Sequence, residues 1–369
     1  MAKSRSFCGG PHWPINTLWR STPSLNANGN VGALNERMIL TGLVESEDGA
    51  SHDYDTIIWR TQTNSVPSLT VTVGFADLDT ADAGPPARDD GTIDQTGTAV
   101  DPASSTTITT TLGAARTLVH GATICVVWKN TAWASGYWRL AYLTAESSGG
   151  VHRPVLTSFI GAAYARITNA VPMVTLYDSV AGKYATLKGC IPALSAAPTT
   201  VSINTGTAIT RAGFGFTVAA PQWGLEGWIF VGTTNGGSFT VDLYENTTQV
   251  GTMSVLQDTW ASDGGVLPLY FCFPDVAFTS GKTYYVVIVP TTATNVSLYT
   301  LACSAAGLWK PMASLSDGGT MGYATYQAGA WDALTQTSVP LAQVAMTAVD
   351  SGGGAGVGAG RTVPRGIAY

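Results

Sequence analysis

The sequence predicts an all-β protein that contains two tandem β-sandwiches. In Gly237–Tyr244, apolar and polar side chains alternate from Phe239 onwards, and a period of two is typical of a strand with one buried and one solvated face. Other apolar runs of strand length recur between turn residues, as they do in sandwiches. No segment of about 15 residues carries a helical stripe of apolar residues. We therefore expect little helix.

The same order of segments occurs twice along the chain. Five segments of the first half match segments of the second: Ser68–Val73 with Ser238–Leu243, Thr56–Trp59 with Gly227–Phe230, Gly121–Trp128 with Gly281–Ile288, His152–Val155 with Trp309–Met312, and Val171–Val174 with Val339–Ala342. The spacing between partners varies by about a dozen residues, which loop insertions between two copies of one fold would produce. Five matches in one order favour a duplication. We therefore expect Ser68–Val73 and Ser238–Leu243 to occupy the same sheet position.

Four segments follow from this pattern. Residues 1–30 form an N-terminal arm without periodicity, residues 31–195 and 196–348 form the two sandwiches, and residues 349–369 form a Gly-rich C-terminal tail. Large apolar side chains in the arm and the tail are costly to leave in water and usually mark a contact surface. We expect arm or tail to run along a neighbouring subunit or another particle protein through four residues, namely Trp13, Trp19, Ile367 and Tyr369.

Composition restricts the partners of the protein. Charged residues make up 11% of the 369 residues and the net charge is −6, against roughly 25% charged residues in ordinary globular domains. Without a basic run, nucleic acid is a poor partner, and without about 18 consecutive apolar residues we expect no membrane insertion. The five cysteines form no CxxC pair, so we expect them to be reduced and mostly buried.

The low charge is typical of extracellular or particle-bound β-proteins, whereas the first residues offer no apolar stretch suited to a signal peptide. We therefore expect synthesis inside a cell without a signal peptide, followed by release within an assembled particle.

An Asp-rich loop is the one candidate metal site. Asp77, Asp79 and Asp82 lie between two predicted strands and could supply oxygen ligands to Ca²⁺. The loop lacks EF-hand spacing, and Pro85-Pro86 stiffens its middle. We favour a solvated surface loop and expect no tightly bound metal or cofactor.

No motif indicates catalysis. The four histidines are scattered, which argues against a zinc site, and the chain has no GxSxG elbow, Walker loop or dinucleotide fingerprint. A glycosidase needs two facing carboxylates, and the sequence does not single out a pair among its 24 acidic residues. We therefore expect a protein that is not an enzyme.

One aromatic group is a candidate carbohydrate-binding site. Trp133, Tyr137 and Trp138 surround a predicted turn and could present rings at a loop tip. Aromatic faces beside Asn and Thr suit sugars, because the ring stacks on C–H groups while polar side chains bind hydroxyls. Packing of these rings against a neighbouring subunit explains them equally well.

Several segments carry a resemblance to a known family. They are Ser68–Val73, the Asp-Gly-Thr loop at Asp90–Thr92, Gly121–Val127, Tyr285–Tyr299 and Gly329–Trp331. Together they resemble duplicated jelly-roll β-sandwich proteins encoded in the structural gene clusters of tailed bacteriophages, over most of residues 34–348. The resemblance implies a tail-fibre, tail or capsid-surface protein with domains of the galactose-binding or carbohydrate-module type. It implies no catalytic residue.

We therefore predict a bacteriophage virion protein that is exposed on the tail or capsid and oligomeric. It would be made in the bacterial host cytoplasm without a signal peptide. Its partners would be other virion proteins, copies of itself and a host-surface glycan, and its task adhesion or particle decoration. A secreted tandem carbohydrate-binding module is the first alternative, and a polysaccharide-degrading enzyme is the second.

Overall fold

The fold is that of a computed structural model, which describes most of both predicted sandwiches. The described residues are 4–7, 25–27, 31–32, 36–46, 49–64, 70–77, 94–100, 106–132, 137–144, 155–160, 163–167, 170–187, 190, 193–204, 208–218, 222–234, 238–255, 267–292, 296–302, 321–335, 337–340 and 342–348.

The strands are numbered in chain order. Those up to the middle of the chain are β1 (Ser4–Phe7), β2 (Leu25–Ala27), β3 (Arg37–Ser46), β4 (His52–Asn64), β5 (Thr70–Ala76), β6 (Asp94–Val100), β7 (Thr107–Leu118), β8 (Thr123–Ala132), β9 (Trp138–Thr144), β10 (Val155–Ile160), β11 (Ala163–Ile167), β12 (Ala170–Pro172) and β13 (Thr175–Asp178). The remainder are β14 (Lys183–Leu187), β15 (Thr199–Ile203), β16 (Ile209–Thr217), β17 (Gln222–Thr234), β18 (Phe239–Glu245), β19 (Thr248–Val255), β20 (Leu267–Phe278), β21 (Thr283–Pro290), β22 (Val296–Ala302), β23 (Met321–Gln327), β24 (Ala330–Trp331), β25 (Ser338–Pro340) and β26 (Ala342–Ala348).

These strands confirm the all-β prediction, since no helix occurs in the described part of the chain. Strands β2–β14 form one 13-stranded sheet. A 7-stranded sheet contains β1, β15, β17, β20, β22, β25 and β26, and a 6-stranded sheet contains β16, β18, β19, β21, β23 and β24. Neighbouring strands run antiparallel. Consequently, the described residues include no helix that is long and apolar enough to cross a membrane.

Each half of the chain has its own apolar core. The first core centres on Trp59, whose ring lies 6.2 Å from that of Trp128 and 5.7 Å from that of Trp138. The second core contains phenylalanines of β16 and β20, such as Phe214 and Phe271, whose ring centroids are 6.3 Å apart. Two separate cores are consistent with two sandwiches, while the predicted boundaries at residues 195 and 348 stay a prediction.

Strand pairing repeats between the two halves, which confirms the duplication. Strand β8 lies between β3 and β5, and β21 lies between β16 and β18. The other equivalent pairs are β5–β6 and β18–β19, β4–β7 and β17–β20, β4–β9 and β17–β22, β4–β13 and β17–β26, β3–β10 and β16–β23, β10–β11 and β23–β24, β9–β12 and β22–β25, and β2–β9 and β15–β22.

The predicted match between Ser68–Val73 and Ser238–Leu243 is right in strand and wrong in register. Val73 pairs with Trp128, and its structural counterpart Val241 pairs with Ile288. The sequence match instead placed Val73 against Leu243. The shift is two residues, so the same side chains face the core. Thr/Val alternation alone does not distinguish registers that differ by one full period.

The turn before β8 and the turn before β21 share the same backbone geometry. Gly121 has φ 81° and donates its N–H to the carbonyl of Val44 at 2.8 Å. Gly281 has φ 78° and donates to the carbonyl of Val218 at 3.0 Å. A positive φ at both positions explains why glycine opens both matched segments.

The N-terminal arm contributes two strands to the fold. β1 pairs with β26, and β2 pairs with β9. Ser4–Phe7 therefore contacts its own chain, whereas the arm was expected to run along a neighbour. The four predicted assembly residues, Trp13, Trp19, Ile367 and Tyr369, lie outside the described residues, and that role stays a prediction.

The matched turns give a paired stability test. Replacing Gly121 or Gly281 by Ala forces a residue with a Cβ into the left-handed region, although no atom within 4 Å obstructs it. We expect each change to lower the free energy of unfolding by roughly 1–2 kcal/mol, measured by denaturant unfolding. The control is Gly113→Ala, at a glycine without positive φ whose Cβ would lie 3.5 Å from the Thr96 carbonyl. If both turn variants kept the stability of the unmodified protein, the positive φ at Gly121 and Gly281 would be contradicted.

Candidate functional site

The outer face of the 6-stranded sheet carries a group of aromatic side chains around an arginine. We call it the aromatic cluster, and its members are Arg211, Tyr244, Tyr285, Tyr326 and Trp331. Five strands supply one residue each, and β18, β21, β16, β23 and β24 are neighbours in that order. The cluster lies on the sheet face opposite the second core.

The alternation of side chains along each strand puts these residues on the outer face of the sheet. In β18, Val241 and Leu243 belong to the second core, so Tyr244 points to the opposite face. Tyr244 pairs with Tyr285 on β21, and directly opposite residues on one sheet face interact through their side chains. Two tyrosines therefore lie side by side on the outer face.

A glycine makes room for the second of these rings. Gly215 pairs with Tyr285 from the other side. A Cβ at Gly215 would lie 2.5 Å from Leu334 Cδ2 and 2.9 Å from the Tyr285 ring. Gly213, one period along the strand, is similarly tight, since its Cβ would lie 2.0 Å from the Val286 carbonyl oxygen. The absence of a side chain at Gly215 thus leaves room for the Tyr285 ring on the outer face.

A tight hairpin brings Trp331 onto the ring of Tyr285, and we call these two stacked rings the aromatic platform. Gln327 pairs with Ala330, and the two residues between them, Ala328 and Gly329, have φ 51° and 85°, as a type I′ turn requires. The Trp331 ring then stacks on Tyr285 with centroids 4.0 Å apart and an interplanar angle of 4°.

Edge contacts and a hydrogen bond fix the Trp331 ring in its plane. Tyr244 and Tyr326 meet it at 67° and 70°. Its Nε1–H donates to the carbonyl of Asn246 at 2.7 Å. The ring is half-buried. Trp331 is therefore rigidly oriented before any ligand arrives.

Arg211 sits between two of the tyrosines. Its Cζ lies 4.8 Å from the Tyr244 ring centroid and 4.2 Å from that of Tyr326, both within cation–π range. Burial raises the pKa of the Tyr244 phenol, and the nearby Arg211 charge opposes that rise. The guanidinium is planar and carries five N–H donors, so Arg211 can contact a ring and still donate hydrogen bonds.

Two carboxylates adjoin the cluster and are already hydrogen-bonded. Asp242 is buried and accepts from Thr252 Oγ1 at 2.7 Å and from the Tyr244 hydroxyl at 3.4 Å. Asp332 accepts from Gln327 Nε2 at 2.6 Å and from Thr325 Oγ1. Each anchors its neighbours. Tyr244 and Tyr285 are buried, with 6% and 9% exposure, so the site offers a ligand the half-buried rings of Tyr326 and Trp331 beside the Arg211 cation. Aromatic rings beside polar groups suit sugars.

In the first repeat, the positions equivalent to those of the aromatic cluster carry a different set of side chains. Arg37 occupies the place of Arg211, and Tyr164, on the β10–β11 hairpin, occupies that of Trp331. Arg37 Nη2 donates to the Tyr164 hydroxyl at 2.7 Å and the arginine is 8% exposed. Where the second repeat has Gly215 and Tyr285, the first has Thr41 and Cys125. The first repeat therefore has no aromatic platform at these positions.

Of the three predicted sugar-binding residues, the structure describes Tyr137 and Trp138. Trp138 is fully buried against Trp59, so it does not present its ring at a loop tip; the apolar alternation of β9 turns it into the core. Tyr137 is half-buried and its ring lies 5.2 Å from Arg139 Cζ. Trp133 lies outside the described residues. A role for Tyr137 and Trp133 stays a prediction.

The Asp-rich loop is described only at its first residue. Asp77 is exposed and forms an ion pair with Arg116, while Asp79 and Asp82 lie outside the described residues. Within the described part, no group of three or more His, Cys, Asp or Glu side chains is placed to hold a metal ion. Of the cysteines, Cys125 and Cys190 are free and buried as predicted, and Cys272 is half-buried.

Sequence reasoning missed Arg211, Tyr326 and Trp331 as a site. The alternation in Gly237–Tyr244 did assign Tyr244 to the polar face. The sequence did not show which strands pair. Arg211 and Trp331 are far apart in the chain, and only the order of strands in the sheet brings them together. Glycines in place of branched residues in β16 are the one local signal.

The platform depends on Gly215, which gives a direct test of its packing. We expect Gly215→Ala to displace Tyr285 and Leu334, to lower the free energy of unfolding by about 1–3 kcal/mol, and to weaken the near-ultraviolet circular dichroism of the stacked rings. Gly113→Ala is again the control. A variant with unchanged stability and spectrum would show that the ring positions are wrong.

Comparisons with known proteins supply no family. No protein-family model and no curated protein matches the chain. Among solved structures, the crystal structure of a lectin from Pleurotus ostreatus in complex with GalNAc is similar over 85% of this chain and 87% of the lectin chain, with 13% identity and a TM-score of 0.22. A likeness at this level carries no argument about function.

Proposed function

We propose that this protein is a glycan-binding structural protein of a bacteriophage particle, and that the aromatic cluster of its second repeat is the binding site. The single observation that carries the binding role is the rigid stack of Trp331 on Tyr285 beside Arg211. The protein binds without catalysis, and its partners are a host-surface glycan, other particle proteins and copies of itself.

Sugar recognition follows from the chemistry of the cluster. A pyranose presents C–H groups on one face, which pack on an aromatic ring, and hydroxyls at its rim, which need hydrogen-bond partners. Trp331 offers the ring, and the guanidinium of Arg211 offers N–H donors. Because the hydrogen bond to Asn246 fixes the ring in advance, little side-chain entropy is lost on binding.

Placement on a particle is supported by composition and by architecture. Charged residues are 11% of the chain, so the surface is covered largely by uncharged polar groups. A shallow sugar site on one module binds weakly, and weak sites become effective when many copies act together. A virion supplies such copies. A secreted tandem carbohydrate-binding module would use the same cluster and differs only in location.

The binding role is tested by variants of the cluster on an array of bacterial surface glycans. We expect Trp331→Ala and Arg211→Ala each to weaken binding by at least tenfold, because each removes a contact that the sugar makes directly. Tyr270→Ala is the control, since Tyr270 is an aromatic residue with 40% exposure on the other sheet of the same repeat. Equal losses in all three variants, with their folds intact, would place the site elsewhere.

The particle role is tested independently of binding. We expect gradient-purified phage particles from a lysate of cells that carry the gene to contain this chain in stoichiometric amounts, as measured by quantitative mass spectrometry. Recovery of the chain only in the soluble fraction or in the medium of uninfected cells would contradict the virion role and would favour the secreted module.

A further inference from the structure

Arg211 of the aromatic cluster differs from two buried arginines of the first repeat in its hydrogen bonds. Arg37 donates to a tyrosine hydroxyl at 2.7 Å, and Arg60 donates to two backbone carbonyls at 3.0 and 2.8 Å. Among the described residues, none accepts a hydrogen bond from Arg211 and none forms an ion pair with it. Its contacts are with the faces of two tyrosine rings, which leave the five N–H donors of the guanidinium without an oxygen acceptor.

The contrast is sharpest with Arg37, which occupies the equivalent place in the first repeat. Arg37 is 8% exposed, and Tyr164 accepts its hydrogen bond within the same chain. Arg211 is half-buried, so that a ligand can reach part of its side chain. Polar groups at such sites normally find a partner in the protein, in water or in a ligand. At the same position, one repeat therefore uses its arginine internally and the other leaves it available.

The surrounding rings hold the available guanidinium in place. The Cζ of Arg211 lies 4.2 Å from the ring centroid of Tyr326 and 4.8 Å from that of Tyr244. The Tyr326 hydroxyl donates to the carbonyl of Gly329 at 2.8 Å, which fixes that ring on the hairpin that carries Trp331. Because the cation and the ring beside it are positioned in advance, a ligand that contacts both loses little side-chain entropy of the protein.

One carboxylate on the same sheet face limits the charge that the site accepts. Asp242 is 4% exposed, and its oxygens accept from Thr252 Oγ1 at 2.7 Å and from the Tyr244 hydroxyl at 3.4 Å. It adds a negative charge near the cluster, whereas Arg211 is the one cation in it. A single negative charge on a ligand is balanced by Arg211, while a second charge meets the repulsion of Asp242.

We propose that Arg211 recognises a singly charged oxyanion on the glycan, a carboxylate or a phosphodiester, and that the aromatic cluster therefore selects acidic glycans. This inference rests on the glycan-binding role proposed above. A guanidinium donates charge-assisted, paired hydrogen bonds to an oxyanion, and these are stronger than bonds to a neutral hydroxyl. The sugar ring that carries the charge packs on Trp331. A neutral sugar makes the same ring contact and leaves the cation with hydroxyl partners alone.

Matched glycans test the selection with the unmodified protein. The probes are a uronic-acid polymer and a sialic-acid polymer, each in its native form and after chemical reduction of its carboxylates to hydroxymethyl groups. A teichoic acid, which is linked by phosphodiesters, is compared with an uncharged polymer. We expect the acidic member of at least one pair to bind about tenfold more tightly or better, as a charge-assisted hydrogen bond predicts. A preference in the teichoic acid pair alone would identify the phosphodiester as the source of the charge.

Variants then assign the preference to Arg211. We expect Arg211→Gln to weaken binding of the acidic member about tenfold and to bring it to the level of the neutral member. Arg166→Gln is the matched control, because Arg166 is an exposed arginine on β11 of the first repeat and its loss changes the net charge equally. Trp331→Ala should weaken both members of a pair by the same factor, since the ring packs on either sugar. Circular dichroism verifies that each variant is folded.

The outcomes separate charge selection from glycan binding. Equal affinity for both members of every pair, together with a loss of binding in Trp331→Ala, would overturn the selection of acidic glycans and leave the glycan-binding role intact. Equal losses in Arg211→Gln and Arg166→Gln would also overturn it, because net charge alone would then explain the preference. Failure to bind any of the polymers would overturn both proposals. The comparison within each pair needs no variant, so it is decisive even where Arg211→Gln does not fold.

Discussion

The structure depends on one constraint, which is that each repeat must bury its own apolar core between sheet faces that it supplies itself. The first repeat does so with three tryptophans, of which Trp59 donates its Nε1–H to Thr110 at 2.9 Å. The second uses phenylalanines and Tyr284, which stacks on Phe216 at 5.8 Å. The two cores are filled with different side chains, so what the repeats share is the arrangement of strands. The side chains on the outer sheet faces differ between the repeats as well.

A buried arginine joins this framework to the segment between the repeats. Arg60 is 5% exposed and donates to the carbonyls of Leu194 at 3.0 Å and Ser195 at 2.8 Å. Burial lowers the pKa of its guanidinium, but arginine stays charged at any physiological pH. Ser195 in turn donates its N–H to the carbonyl of Ala302 on β22. The connection is thus tied to both repeats, through a side chain on one side and a backbone group on the other.

The sequence predicted those features that are local and periodic. Alternation in Gly237–Tyr244 identified β18 and its two faces, and the glycines at 121 and 281 marked matching turns because a positive φ requires them. Trp138 shows the limit of local reasoning, since an aromatic residue beside a turn belongs to the core or to the surface according to strand phase. The aromatic cluster and the β1–β26 pair join distant segments, and only the order of strands in the sheet brings them together.

Comparison of the two repeats shows how the same lattice positions yield a platform in one and none in the other. In the first, Thr41 hydrogen-bonds Cys125 at 3.3 Å, and these small groups fill their places on the outer face. In the second, the equivalent pair is Gly215 and Tyr285. Removing the side chain from one strand gives the ring on the next strand space to lie flat, and the flat ring then receives Trp331. Because a Cβ at Gly215 would meet the Tyr285 ring, and Trp331 stacks on that ring, the glycine and the two aromatic residues form one packed unit.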